Sequence, residues 1–342
     1  MMFNDFLALD RRRLCRHDLK GVMSARKSRG NGSEKVLSSE EQQAKINEVK
    51  KLMGPLTEKL PVLCSDASIL RYLKARNWNT KKANKMLRET LKWKLEYKPE
   101  KISWEDIALE AKTGKIYRAN YTDKQGRTVL VMRPSSQNTE STTGQIRYLV
   151  YCMENAILNT NSTDGYMVWL IDFHGWNTSC LSLKVTRDTA NILQNHYPER
   201  LGLAILYNPP KVFESFWVMV RPFLESKTFK KVKFVYSNNP ESQKIMEDNF
   251  NVEELETSFG GKNPVGFNYE DYARRMVEGD KKKTEFVDSG FSSPTSKSIL
   301  SKSQLPDSAV SDANSQDSDD ESDNEMQPSN LALPDDKLQE KK

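Results

Sequence analysis

The chain reads as an α/β protein: an N-terminal helical lobe, then a largely parallel sheet with crossover helices. Three observations predict the α/β layout. Short runs rich in apolar residues recur at 166–171, 203–207 and 232–236, as expected of strands covered on both faces. Stretches of helical periodicity lie between them, long enough for crossovers. The residues before about 100 carry the 3.6-residue apolar rhythm and no strand pattern.

Taken in order, residues 10–33 hold eight Lys or Arg and three glycines and few apolar side chains, a flexible basic arm. Ser38 or Ser39 opens a helix, with Glu41 and Gln42 three residues on as in a capping box. Gly54, Pro55 and Pro61 close it. Ile69, Leu70 and Leu73 mark a short helix; Ala83, Met86, Leu87, Leu91 and Leu95 mark a longer one that stops before Pro99. Beyond Lys115 the pattern changes, with a β-rich run at Thr128–Met132 after the turn at Asp123–Gly126. Ile146 to Ile157 repeats at helical spacing, Tyr166–Ile171 is a strand, and Leu183–Leu193 is a helix. A strand at Leu203–Tyr207, a helix at Val212–Leu224 and a strand at Val232–Tyr236 follow, then helices near Glu241–Asn249 and Tyr269–Glu278. The expected division is a disordered basic arm at 1–37, a helical lobe at 38–112, an α/β domain with its C-terminal helix at 113–284, and a disordered acidic Ser/Asp-rich tail at 285–342. Ser318 and Ser322 stand among acidic residues; a phosphate-acceptor role and a merely solvating tail both fit.

Charge is divided unevenly. Residues 288–342 carry 12 acidic and 5 basic side chains, a net −7, so the remainder carries +12 of the total +5. A basic body is drawn to polyanions, nucleic acid or anionic lipid alike. No run of about 18 apolar residues occurs, which excludes a transmembrane helix. Phe3, Phe6, Leu7 and Leu9 precede Arg11–Arg13, the reverse of a secretory signal, and Asp5, Asp10 and Asp18 count against a mitochondrial presequence. Four scattered cysteines read as reduced thiols of a cytoplasmic protein.

Catalytic patterns are missing. There is no GxSxG elbow, no GxGxxG after a strand, and Gly260-Gly261-Lys262 lacks the rest of a phosphate loop. His17, His174 and His196 have no metal spacing. His174 follows a strand and has no recognisable nucleophile, so packing competes with a role as base. The expectation is a non-enzyme without metal or cofactor.

One segment carries the chemistry. Pro198 fixes a turn and Glu199 sits just before a buried strand. In Val212–Leu224, Phe213, Phe216, Trp217, Val220, Phe223 and Leu224 share a broad face, while Val218 and Met219 extend the apolar surface round the other side. Either full burial or a helix facing a cavity on one side and a membrane on the other accounts for that pattern. Tyr197-Pro-Glu-Arg-Leu-Gly202, Asn208-Pro-Pro210, Arg221-Pro-Phe-Leu224, Thr228 and Lys231 together resemble the CRAL-TRIO family. So do Leu70-Arg-Tyr-Leu-Lys-Ala-Arg76 upstream, Asp172-Phe-His-Gly175 after the central strand, and Phe259-Gly-Gly261 downstream. The ordered set spans about Glu41 to Tyr272.

The resemblance implies a lipid cavity with a sheet floor, sealed by a mobile gate helix at Val212–Leu224. A two-chain lipid exposes roughly thirty methylenes at about 0.8 kcal/mol each, so a carrier must enclose both chains in water. In phosphatidylinositol-binding members the headgroup contacts fall on positions matching Arg76, Glu199, Thr228 and Lys231. Arg76 and Lys231 suit a phosphodiester, Thr228 can donate to it, and Glu199 can accept from inositol hydroxyls. Glu199 paired with a neighbouring arginine, and Lys231 as a solvated charge beside Lys230 and Lys233, remain open. Two departures stand out. Asn77 replaces a second basic residue after the Arg76 position, and Met167 and Trp169 replace the hydroxyl pair of the family's phosphatidylcholine site. The partners implied are phosphatidylinositol, an anionic membrane surface met transiently by a cytoplasmic monomer, and a lipid kinase or trafficking protein. The alternative is a lipid-loaded scaffold that regulates trafficking or a small GTPase without net transfer. Nucleic-acid binding, suggested only by the basic body, has no recognised motif behind it.

Overall fold

The computed structural model describes residues 37–291, apart from 161, 163, 181, 214–216 and 218–225. The basic arm and the acidic tail lie outside the described residues. Helix α1 (Ser39–Met53) begins at a capping box: Ser38 accepts from the Glu41 N–H, and the Glu41 carboxylate accepts from Ser38 N at 2.8 Å. It stops at Gly54, whose φ of 58° suits a residue without Cβ. After the single turn α2 (Leu56–Lys59), Ser65 caps α3 (Asp66–Ala75) and Asn79 caps α4 (Thr80–Tyr97), which ends before Pro99. Ile46, Val49, Ile69, Leu73, Ala83 and Leu87 form a separate small core for these helices. Ile69 and Leu73 have no exposed surface, and burying each such side chain contributes about 1.5–3 kcal/mol.

Helix α5 (Trp104–Ala111), not foreseen as a separate element, packs with the larger core instead. Then come β1 (Ile116–Thr122), β2 (Thr128–Met132), α6 (Thr142–Leu158), β3 (Met167–Asp172), α7 (Leu183–His196), β4 (Leu201–Tyr207), α8 (Ser226–Lys230), β5 (Val232–Val235), α9 (Pro240–Asn249) and α10 (Tyr269–Phe291). The sheet runs β1-β2-β3-β4-β5; β1 is antiparallel to β2 and every other pair is parallel. The architecture is therefore the expected one, a helical lobe before a largely parallel α/β sheet. Strand β1 alternates Tyr117, Ala119 and Tyr121, all buried, with the polar Arg118, Asn120 and Thr122, so it forms no apolar run like those of β3 and β4.

The two faces of the sheet differ. Val129, Val131, Val168, Leu170 and Ile205 are wholly buried on one side. On the other, the registers build two cross-strand rows, Leu130–Trp169–Ala204–Val232 and Met132–Ile171–Leu206–Phe234. In these rows Trp169, Val232, Met132, Ile171 and Phe234 are only half-buried. A parallel sheet normally hides both faces, so this apolar face is the one with surface to spare.

Candidate functional site

Parallel pairing of β3, β4 and β5 brings the amino ends of three strands together. Tyr166 immediately precedes β3, Glu199 lies two residues before β4, and Lys231 immediately precedes β5. Lys231 Nζ lies 2.9 Å from Glu199 Oε2, with the side chains 23% and 10% exposed. The same ammonium stands 5.3 Å from the centroid of the Tyr166 ring, a cation–π distance. Burial, then the Glu199 carboxylate, raises the Tyr166 phenol above its ordinary range. Glu199 has φ 51° without being glycine, a backbone state that costs energy unless its surroundings hold it and that clusters at functional sites. Lys231 is locked as well: its N–H donates to the Thr228 carbonyl at 3.1 Å and its carbonyl accepts from Ala204 N at 2.9 Å.

Of the expected headgroup residues, Glu199 and Lys231 are joined directly, and half-buried Thr228 is in the turn of α8 that ends at Lys231. The neighbouring arginine as Glu199's partner is thus replaced by Lys231. Arg76 stands on the helical lobe as the C-cap of α3, its Nη1 donating to the Ala75 carbonyl at 3.4 Å. Met167 is 1% exposed at the start of β3. The Trp169 ring is half-buried, with its Nε1 sealed from solvent and lacking a hydrogen-bond partner among the described residues. Of the residues expected in a gate helix, Phe213 packs against Phe173 at 4.4 Å and Trp176 at 5.6 Å, while Trp217 meets Phe234 edge-on at 5.9 Å. Phe216, Val220, Phe223 and Leu224 lie outside the described residues. His174 is exposed; its backbone N–H donates to Asp172 and its carbonyl accepts from Ser135.

Sequence reasoning missed a polar cluster between the helical lobe and the sheet. Lys94 Nζ and the Tyr197 hydroxyl both donate to Glu154 Oε1, at 2.9 and 2.7 Å. Burial alone would raise the Glu154 carboxyl, yet Lys94 and these hydrogen bonds hold it below the usual range. Arg200 Nη1 donates to the Gly165 carbonyl at 3.1 Å. Arg71 close by is pushed down to about 10, by burial first and then by the Arg200 charge. Nothing in the spacing of these residues distinguishes a buried charge from a solvated one.

His196, at the end of α7, stacks on Trp93 with ring centroids 4.2 Å apart. Burial, then the Lys94 charge, pushes the imidazole down to about 4, against about 6.5 in an unfolded chain. A depressed histidine stabilises the folded state above the unfolded value, and that contribution is lost as pH falls from about 6.5 towards 4. His196→Phe keeps the stack without the titration. The drop in thermal midpoint between pH 7 and pH 5 is therefore expected to be smaller in the variant than in the wild type; an equal drop contradicts this assignment.

A cavity of about 460 Å³ lies elsewhere, at the edge strand β1 between Asn120, Thr122, Glu253 and Asn263. Its lining includes no member of the strand-start cluster. No group of three or more metal-ligating side chains occurs among the described residues, and no described helix is long and apolar enough to cross a membrane.

Residues 42–89 match the CRAL/TRIO N-terminal domain and residues 111–261 the CRAL/TRIO domain. The SEC14 cytosolic factor of Kluyveromyces lactis is 30% identical over 245 residues, which cover 66% of this chain and 79% of that protein. The chain belongs to the CRAL/TRIO family. Within it, the phosphatidylinositol transfer protein PDR17 of Saccharomyces cerevisiae is 30% identical over 237 residues, covering 66% of this chain and 65% of that one. A CRAL-TRIO domain-containing protein of Schizosaccharomyces pombe is 34% identical over 211 residues, and there the match spans 20% of the relative's length. The crystal structure of Sfh5 superposes with a TM-score of 0.53 at 14% identity, over 73% of this chain and 99% of that one, a likeness of fold.

Proposed function

We propose that the chain is a phosphatidylinositol-binding protein that encloses one lipid and docks reversibly on anionic membranes to transfer or present it. The carrying observation is the Lys231–Glu199 pair beside Tyr166, built on strand starts at the margin of a half-buried apolar sheet face. In the structure the two charges satisfy each other. A phosphoinositol headgroup replaces both partners at once: the ammonium turns to the phosphodiester and the carboxylate accepts from ring hydroxyls, so neither charge is stranded. Thr228 and Arg76 join this set in the proposal, with 38–112 as the helical lobe and 113–284 as the lipid-binding domain.

The apolar rows from Leu130 to Val232 and from Met132 to Phe234 serve as the floor for the acyl chains, and Val212–Leu224 as the gate. The edge-on contact of Trp217 with Phe234 supports that reading. Docking draws on the basic segments 11–29 and 227–233, each Lys or Arg near an anionic leaflet contributing about 1 kcal/mol. The function is binding rather than catalysis, with the lipid as ligand and no cofactor. The likeness to a phosphatidylinositol transfer protein and to SEC14 cytosolic factors supports it.

Met167 and Trp169 give no hydroxyl where the family's phosphatidylcholine site has two. Transfer between vesicles is therefore expected to favour phosphatidylinositol over phosphatidylcholine by roughly tenfold or more, the loss of one or two hydrogen bonds. Equal rates for the two lipids would refute the proposed selectivity.

A further inference from the structure

The central strand carries a polar atom without a hydrogen-bond partner among the described residues. Trp169 stands between Leu130 and Ala204 in one apolar row, and the neighbouring row, Met132–Ile171–Leu206–Phe234, is apolar throughout. Its ring is half-buried, while Nε1 is sealed from solvent without a hydrogen-bond partner among the described residues. An indole N–H can only donate. A buried donor left unmade carries a desolvation penalty, and buried polar atoms of native proteins are nearly always paired. A buried water needs two to four polar partners, and neither of these two rows supplies a second polar side chain.

We infer that Trp169 donates its indole N–H to an uncharged oxygen of a bound apolar molecule, an ester carbonyl or a hydroxyl. This rests on the reading of the half-buried face as a lipid floor. The acceptor is uncharged because neither row offers a cation, and a carboxylate or phosphate would lose its water for a single donor. A choline group has no acceptor to offer. Ala204, the cross-strand neighbour of Trp169, adds no polar side chain of its own. A bound molecule with such an oxygen supplies the acceptor that the indole N–H lacks among the described residues.

The test titrates two long-chain glycerides, dioleoylglycerol and its diether analogue, into wild-type protein and Trp169→Phe. A third protein carries benzothienylalanine at position 169, which keeps the shape of the indole with sulfur in place of N–H and guards against loss of fold. Phosphatidylinositol loading is measured on the same preparations. Both replacements are expected to weaken glyceride binding roughly 5- to 10-fold, the size of one neutral hydrogen bond. A loss confined to the diester identifies the ester carbonyl as acceptor; an equal loss for diester and diether identifies the hydroxyl. Unchanged affinity in both replacements, or a wild-type chain that loads phosphatidylinositol and neither glyceride, overturns the inference. A wild-type chain that takes a glyceride in a Trp169-dependent way but no phosphatidylinositol overturns the headgroup proposal alone, and one that binds nothing overturns both.

Discussion

In a Lys231→Ala chain, loading with phosphatidylinositol is expected to fall roughly 10- to 100-fold, because a hydrogen bond to a charged group contributes about 1.5–3 kcal/mol. Glu199→Ala is expected to do the same from the inositol side. Both changes also strand the remaining partner, which is mostly buried: Glu199 is 10% and Lys231 23% exposed. Some of the measured loss will therefore be loss of fold, on the order of 1–3 kcal/mol. The charge swap Glu199→Lys with Lys231→Glu separates the two effects. It restores an ion pair across the same strand starts but puts a carboxylate where the phosphodiester should bind. Thermal unfolding is expected to recover towards wild type, while loading stays low. Recovery of loading with the swap would reduce the pair to a structural tie between β4 and β5.

A Gly261→Ala chain is expected to be destabilised by about 3 kcal/mol or more. A Cβ at position 261 would lie 1.9 Å from the Leu255 carbonyl oxygen and 2.4 Å from its carbon. Neither side can yield cheaply. Asn263 N donates to that same oxygen at 3.0 Å, and Gly261 N donates to the Glu256 carbonyl at 3.1 Å. The segment is anchored by Leu255 and Phe259, 1% and 0% exposed, and Phe259 meets Tyr207 of β4 edge-on at 5.3 Å. Gly266→Ala is the control, since nothing lies within 4 Å of its Cβ position. For a folded region of this size the Gly261 change should lower the thermal midpoint by at least about 6 °C. A midpoint within a degree of the Gly266 control would contradict the packing described.

Much of the fold was legible because local signals and burial agree. Ser38 with Glu41, and the apolar stripe from Ala83 to Leu91, specify helices whatever surrounds them. The β3 and β4 runs are apolar because both faces are covered or half-covered. Edge strand β1 was not legible: its alternate positions are the polar Arg118, half-buried, and Asn120, exposed, and such residues resemble those of a loop. Two-turn α5 was not legible either, being too short for a period and capped by Ser103 with Asp106 in place of a Glu or Gln. The candidate site divides in the same way. Glu199 and Lys231 are 32 residues apart, and only their likeness to a family motif singled them out. Tyr166, Arg71 and Glu154 depend on how strands and helices meet, which no spacing encodes. At Trp169 the sequence shows a bulky side chain in place of a hydroxyl; that its one polar atom is left unpaired is visible only once the strands are in register.

The central claim, that this chain carries phosphatidylinositol, is tested most directly by native mass spectrometry of the full-length protein isolated from a eukaryotic host, with the released ligand identified by fragmentation. The expected result is a one-to-one complex in which phosphatidylinositol is the predominant phospholipid, lost in the Lys231→Ala chain. A chain that carries phosphatidylcholine in equal or greater amount, or no phospholipid at all, would contradict the account.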